Sequence, residues 1–132
     1  MKQEDKELLL KDLCARLPYE VFLKIGEYSD YTLQGIVHSN ANKPLLVRCN
    51  GSDFDCSIEV VRPYLRSMSS MTEEEYEELK SISSYYSFAP YKYIGDWCPN
   101  YEMIDWLNSH HFDYRELIEK GLALEAPEGM YK

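Results

Sequence analysis

The sequence lacks the short motifs by which many enzymes are identified. Its six glycines are scattered, without the GxGxxG or GxxxxGK[ST] spacing that cradles phosphates, so neither a dinucleotide-binding fold nor a P-loop is indicated. The three histidines form no HExxH pair, and no CxxC pair occurs among the four cysteines, which are Cys14, Cys49, Cys56 and Cys98. We therefore expect no cofactor and no metal ion, and we expect the cysteines to remain reduced as small apolar side chains.

Long apolar runs are also missing. The run Leu8–Leu10 ends at Lys11 and Asp12, far short of the stretch that a signal peptide requires. No segment approaches the ~18 apolar residues of a membrane helix. The sequence thus predicts a cytoplasmic protein that does not contact a membrane.

Basic residues are scarce. The chain has 14 Lys and Arg against 23 Asp and Glu, a net charge of -9, and residues 67–86 hold five glutamates and one lysine. Free nucleic acid is a poor partner for such a chain, because binding a phosphate backbone requires clustered positive charge. The basic grouping that remains, Arg48, Arg62 and Arg66, is compatible with surface ion pairs or with holding a small phosphate.

Aromatic residues, in contrast, are abundant. The chain has 12 tyrosines, and residues 84–98 contain four of them together with a phenylalanine and a tryptophan. Pro90 and Gly95 prevent a regular helix throughout this segment. Such a segment either packs over the core or forms an exposed recognition surface. The candidate contacts in the second case are Tyr85, Tyr86, Tyr91, Tyr93 and Trp97.

The hydrophobic periodicity predicts a single α+β domain over residues 1–132. A helix from Glu4 to Leu17, with Leu10, Leu13, Cys14 and Leu17 on its packed face, should end at Pro18 and lead into an extended segment. Residues 19–61 read as four short strands in an antiparallel sheet that is flat or partly rolled into a barrel, within a β-rich part spanning 19–66. Pro63 should limit residues 62–66 to an edge of this sheet or an exit from it.

The helical and aromatic-rich part, residues 67–132, should add two or three helices. Thr72 and Glu75 form a capping box for a helix over 73–83. Asn100 precedes a second helix that ends near His110 and His111, which together with Asp113 make an incomplete metal-ligand set. A second capping box, Asp113–Glu116, predicts a short helix that Gly121 ends, and the last residues are expected to be loose.

Three segments of the chain resemble a known family. Residues 11–19 (KDLCARLPY), residues 62–75 (RPYLRSMSSMTEEE) and a stretch from IDWLN at 104–108 through HHFDYR at 110–115 to the end are similar to small uncharacterised proteins that recur in gut anaerobic bacteria, their phages and their mobile elements. The resemblance covers about half of the chain and brings no established activity. It implies a small acidic protein that binds a component of a host or a phage.

Three functional hypotheses follow. The first is a non-catalytic protein of phage or mobile-element type that binds a host protein, such as part of a defence system, through the aromatic residues of 85–97. The alternative is a protein that sequesters a small nucleotide-like ligand between aromatic rings and one or more of Arg48, Arg62 and Arg66. The third is an enzyme that uses a cysteine or histidine in a way the sequence does not reveal.

Overall fold

The α+β class is confirmed by a computed structural model, which describes residues 2–37, 45–49, 52–82 and 101–131. An N-terminal helix is followed by a mixed open sheet and two further helices. The helices are α1 (Gln3–Arg16), α2 (Glu73–Ile82) and α3 (Tyr101–Ser109). The strands are β1 (Phe22–Ile25), β2 (Tyr28–Val37), β3 (Leu45–Cys49), β4 (Ser52–Cys56), β5 (Val61–Leu65) and β6 (Leu124–Glu125).

The sheet has the strand order β4, β3, β2, β1, β5, β6. Neighbours from β4 to β5 are antiparallel, as predicted, whereas β6 adds to β5 in parallel. The register between β2 and β3 shifts between Leu33 and Gly35, as at a β-bulge. The sheet therefore contains the predicted meander and two strands more.

Of the two alternatives for residues 62–66, an edge of the sheet or an exit from it, the exit is excluded, because Pro63 belongs to β5 and pairs with Leu23 of β1. The carbonyl of Leu65 accepts a hydrogen bond from Ala126 on the β6 side. Backbone groups alternate between the two edges of a strand, so the Pro63 nitrogen faces this same side. The proline nitrogen therefore takes no part in the ladder with β1. Since β6 pairs only with Tyr64 and Leu65, the proline removes no hydrogen bond on that side either.

The core has two parts. The larger lies between α1, the centre of the sheet and the chain after α3, and it includes Leu13, Leu23, Leu65 and Leu117. The smaller lies between α2 and α3, where Leu79 packs with buried side chains of α3. On α1 the buried residues are Leu9, Asp12, Leu13 and Arg16, so the predicted face is rotated and Cys14 is exposed.

The chain between α1 and β1 departs from the predicted extended segment. A 3₁₀ turn at Leu17–Tyr19, with Pro18 near its start, continues the helix by one turn. Glu20 then adopts a left-handed conformation with φ of 55°, which redirects the backbone into β1. Tyr19 and Glu20 are thereby placed at the end of the sheet, beside the residues that follow α3.

The predicted capping box at Asp113–Glu116 does not form. Glu116 has φ of 60°, which a residue in the first turn of a helix does not adopt. The Asp113 carboxylate instead accepts from the backbone amides of Leu117 and Ile118, each at 2.9 Å. The result is a sequence of turns, which Gly121 with φ of 75° ends as expected.

Candidate functional site

A cleft of about 420 Å³ opens where the end of the sheet meets the chain after α3. Five separate segments form it: the turn before β1 with the first residue of β1, the residue after β5, the first turn of α2, the end of α3 with the two residues after it, and the C-terminal tail. The residues that line it are Tyr19, Glu20, Phe22, Arg66, Glu75, Ser109, His110, His111, Met130 and Tyr131.

The C-terminal tail is not loose, because Tyr131 completes the sheet beside the cleft. Its hydroxyl donates to the carbonyl of Tyr64 at 2.7 Å and accepts from the amide of Phe22 at 2.8 Å. Continuing the register of Leu23 with Pro63 would place Phe22 opposite Tyr64, so the hydroxyl bridges one rung between β1 and β5. Burial raises the pKa of Tyr131 to about 12, which keeps the hydroxyl protonated and able to donate.

Both histidines after α3 line the cleft, although neighbouring residues of a helix point in different directions. Helix α3 ends in a Schellman motif: the amide of His111 donates to the carbonyl of Asn108 and the amide of Phe112 to that of Leu107. In this motif His111 occupies the left-handed position, with φ of 63°, that glycine usually takes. The reversal of the backbone there brings the two imidazoles to one side.

The two imidazoles differ in their surroundings. His111 is 9% exposed, stacks on Tyr131 with ring centroids 3.7 Å apart, and its Nδ1 is buried without a hydrogen-bond partner. Burial, and after it the positive charge of Arg16, lowers the pKa of His111 to about 4, so the ring is neutral at pH 7. His110 is half-buried and stacks on Trp106 at 4.0 Å, with its Nδ1 2.9 Å from the Trp106 carbonyl oxygen.

Arg66 and Glu75 form an ion pair in another part of the cleft wall. Both terminal nitrogens of Arg66 donate to the Glu75 carboxylate at 2.7 Å, and the guanidinium lies 4.2 Å from the centre of the Phe112 ring. The hydrogen bonds from Arg66 lower the pKa of Glu75 to about 2. Glu75 also accepts from the amide of Thr72, whose hydroxyl accepts from the Glu75 amide, which confirms the predicted capping box.

A buried polar layer supports this arrangement from within the core. Asp12 and Arg16, both fully buried, form a two-point ion pair at 2.7 and 3.1 Å. Arg16 also donates to the carbonyl of Phe112 at 2.8 Å, and the Arg115 guanidinium lies 3.2 Å from the Asp12 carboxylate. These contacts fix α1 to the segment that carries His111, so they hold one wall of the cleft in place.

The predicted binding arginines do not converge. Arg48 lies exposed on β3, three strands away from Arg62 on β5. Arg62 donates to the carbonyls of Gly121 and Val61, and Arg66 alone of the three lines the cleft. The predicted aromatic contacts, Tyr85, Tyr86, Tyr91, Tyr93 and Trp97, lie outside the described residues.

A second surface, here called the acidic face, is formed by α2 and α3, which pack against each other. Tyr101, at the start of α3, is 90% exposed. Trp106 links the two helices by donating from its indole nitrogen to Glu78 at 2.8 Å. The remaining members of the acidic face are also exposed: Glu73, Glu74, Glu77, Glu78, Glu102 and Asp105.

Within residues 2–37, 45–49, 52–82 and 101–131, no group of three or more His, Cys, Asp or Glu side chains is placed to hold a metal ion. In the same ranges no helix is long and apolar enough to cross a membrane. Cys14 and Cys49 are free thiols, the first exposed and the second buried.

Comparison of the chain with protein-family models, curated proteins and solved structures gives no match. The structure alone therefore distinguishes the cleft and the acidic face as candidate sites. Sequence reasoning missed Tyr19, Tyr131 and the Asp12–Arg16 pair. Only the last has a sequence signal, since opposite charges four residues apart pair on a helix.

Proposed function

We propose that the protein is a non-catalytic binding protein whose partner is another protein, and that the acidic face docks this partner. The concentration of charge there carries the proposal. Helix α2 has five glutamates and one lysine, a net charge of -4, and α3 adds two acids, which gives -6 out of the chain's -9. A surface of this kind steers and orients a partner that presents positive charge.

Structural roles account for only some of these acids. Glu73 and Glu74 lie in the first turn of α2, where they favour the helix dipole, and Glu78 accepts from Trp106. Glu77 and Asp105 serve neither purpose. Glu77 follows Glu73 by four residues and Asp105 follows Glu102 by three, and like charges at such spacings on a helix repel and destabilise it, so docking a basic surface gives the remaining acids a function.

The aromatic residues fit the same proposal. Tyr101 is a large exposed side chain within the acidic face, and residues 83–100, which carry the five predicted aromatic contacts, join α2 to α3. Tyrosine and tryptophan surrounded by polar groups are typical anchors of protein interfaces. The resemblance to proteins of phages and mobile elements favours a host or phage protein as the partner, including a component of host defence.

Site-specific crosslinking tests this proposal. A photo-crosslinking amino acid at position 101 should capture a defined partner from host extract, whereas the same group at Tyr28, which is 70% exposed on β2, should not. Reversing two charges, Glu74→Lys with Glu77→Lys, should abolish capture at position 101. The matched control, Glu4→Lys with Glu7→Lys on the exposed side of α1, should leave it unchanged. Equal products from positions 101 and 28, or capture that survives the reversal on α2, would refute the acidic face as the docking site.

The cleft favours a second candidate function, the binding of a small ligand. Its volume lies within the ~300–1,000 Å³ typical of small-molecule sites, and aromatic and imidazole rings line it. A ligand at 100 times its dissociation constant adds about 2.7 kcal/mol of stability. A thermal-shift screen of nucleosides and nucleotides should therefore show a clear shift, and a panel without one removes this candidate.

A further inference from the structure

The cleft offers a ligand little net charge. Arg66 and Glu75 also line it, but their two-point ion pair cancels both charges. Besides Glu75, the described lining residues include one more carboxylate, that of Glu20. His111 is neutral at pH 7. Arg66, the one arginine among the described lining residues, is thus already paired, so the cleft suits an uncharged ligand better than a phosphate.

Hydrogen-bonding roles follow from the contacts of the two imidazoles. Nδ1 of His110 lies 2.9 Å from the Trp106 carbonyl oxygen, which only accepts, and 3.1 Å from the Ser109 hydroxyl, which itself donates to that carbonyl. We therefore assign a proton to Nδ1 of His110 and the role of acceptor to its Nε2. His111 has a buried Nδ1 without a partner. Because buried N–H groups without an acceptor are rarer than unsatisfied acceptors, we assign the single proton of this ring to Nε2, which is a donor.

We propose that the cleft binds an uncharged planar ring that presents a hydrogen-bond donor beside an acceptor, the pattern on the edge of a nucleobase. Nε2 of His110 and Nε2 of His111 supply the complementary acceptor and donor from adjacent residues. Tyr19 and the imidazole faces turned away from Trp106 and Tyr131 supply aromatic surface against which such a ring packs. This inference rests on the small-ligand function and is independent of the acidic face.

Titration monitored by NMR tests the inference. The probes are adenosine and cytidine, their 5′-monophosphates, and N6,N6-dimethyladenosine, which keeps the adenine ring but lacks the donor. Adenosine or cytidine should shift the resonances of His110, His111 and Tyr131 and bind at least as tightly as its monophosphate. Where adenosine binds, the dimethylated analogue should bind about tenfold more weakly, as expected for one lost hydrogen bond of ~1.4 kcal/mol.

Two variants of one position separate binding from folding. His110→Phe keeps a ring against Trp106 but removes the acceptor, and should weaken nucleoside binding about tenfold. His110→Gln keeps a polar group near the position of Nε2 and should restore much of the affinity. Thermal unfolding of each free variant checks that the cleft is intact.

Each contrary result identifies what fails. Tenfold tighter binding of a monophosphate than of its nucleoside would overturn the uncharged-ligand inference while leaving the cleft a ligand site. Nucleoside binding that is unaffected in a folded His110→Phe variant would overturn the assigned hydrogen bonds. No shift at these resonances with any probe would remove the small-ligand function and the inference together, while the protein-partner proposal would stand.

Discussion

Replacing Tyr131 by phenylalanine tests how the sheet is completed beside the cleft. The change keeps the ring, which stacks on Phe22 at 4.9 Å and on His111 at 3.7 Å, and removes only the hydroxyl. The amide of Phe22 and the carbonyl of Tyr64 then both lose their partner across the rung. Any loss of stability therefore measures two hydrogen bonds and not the packing of the tail.

The magnitude follows from these two bonds. Each contributes a net ~0.5–1.5 kcal/mol, and an unsatisfied buried group costs ~1–3 kcal/mol. Both bonds are only partly buried, so water can replace some of the loss, and we expect the free energy of unfolding to fall by about 2 kcal/mol. With an unfolding entropy of ~2.1 cal/mol/K per residue, this lowers the melting temperature by roughly 7 °C.

Two measurements check this prediction. Calorimetry gives the melting temperature, with Tyr28→Phe as the matched control, because the 70% exposed Tyr28 should change stability by less than ~0.5 kcal/mol. Hydrogen exchange should show faster exchange at the Phe22 amide in Tyr131→Phe. If the two variants have the same melting temperature and the Phe22 amide exchanges no faster in Tyr131→Phe, the hydroxyl does not bridge β1 and β5.

Three further predictions concern the cap, the buried ion pair and the response to acid. Thr72→Ala should lower stability by about 1 kcal/mol in urea unfolding and Thr72→Ser should not; equal losses would contradict the observed cap. Arg16→Ala should lower stability by ~3 kcal/mol, the low end for a broken buried pair, because the buried Asp12 carboxylate keeps the Arg115 guanidinium as a partner. Adding Asp12→Ala should recover part of the loss; full additivity would exclude the pair. The folded pKa of His111 is lowered, so stability should fall as the pH drops from 6.5 to 4, and the lowered pKa of Glu75 should extend this loss from 4.5 to 2. Guanidinium unfolding at each pH should show the first loss disappear in His111→Asn and the second in Glu75→Gln; unchanged profiles would contradict these pKa shifts.

The features predicted correctly are those that depend on neighbouring residues. The Thr72–Glu75 cap, the helix that follows it and the meander of short strands each follow from a pattern within a few positions. For Pro63 the sequence left two alternatives, an edge of the sheet or an exit from it, because a proline is harmless in a strand when its nitrogen faces an unpaired edge, and edges depend on the whole sheet. Local sequence patterns therefore indicated the fold class and four strands of the sheet, but not β5 and β6.

The cleft could not be predicted for the same reason. Its residues come from segments that are far apart in the chain, and the one property that brings His110 and His111 together is the left-handed backbone of His111. Histidine gives no sign of that conformation in a sequence, whereas glycine would have done so. The predicted loose tail was wrong because the anchoring of Tyr131 depends on backbone groups of two distant strands.

The distances in sequence between these contacts have a consequence for folding kinetics. Arg16 and Phe112 are 96 residues apart, and Phe22 and Tyr131 are 109 residues apart. Closing a loop of this length costs about 4 kcal/mol of chain entropy, and the contact stabilises the protein only after the loop has closed. Proteins rich in such contacts therefore fold slowly. We therefore expect Tyr131 to dock after the folding transition state, so that its removal speeds unfolding and leaves the refolding rate nearly unchanged.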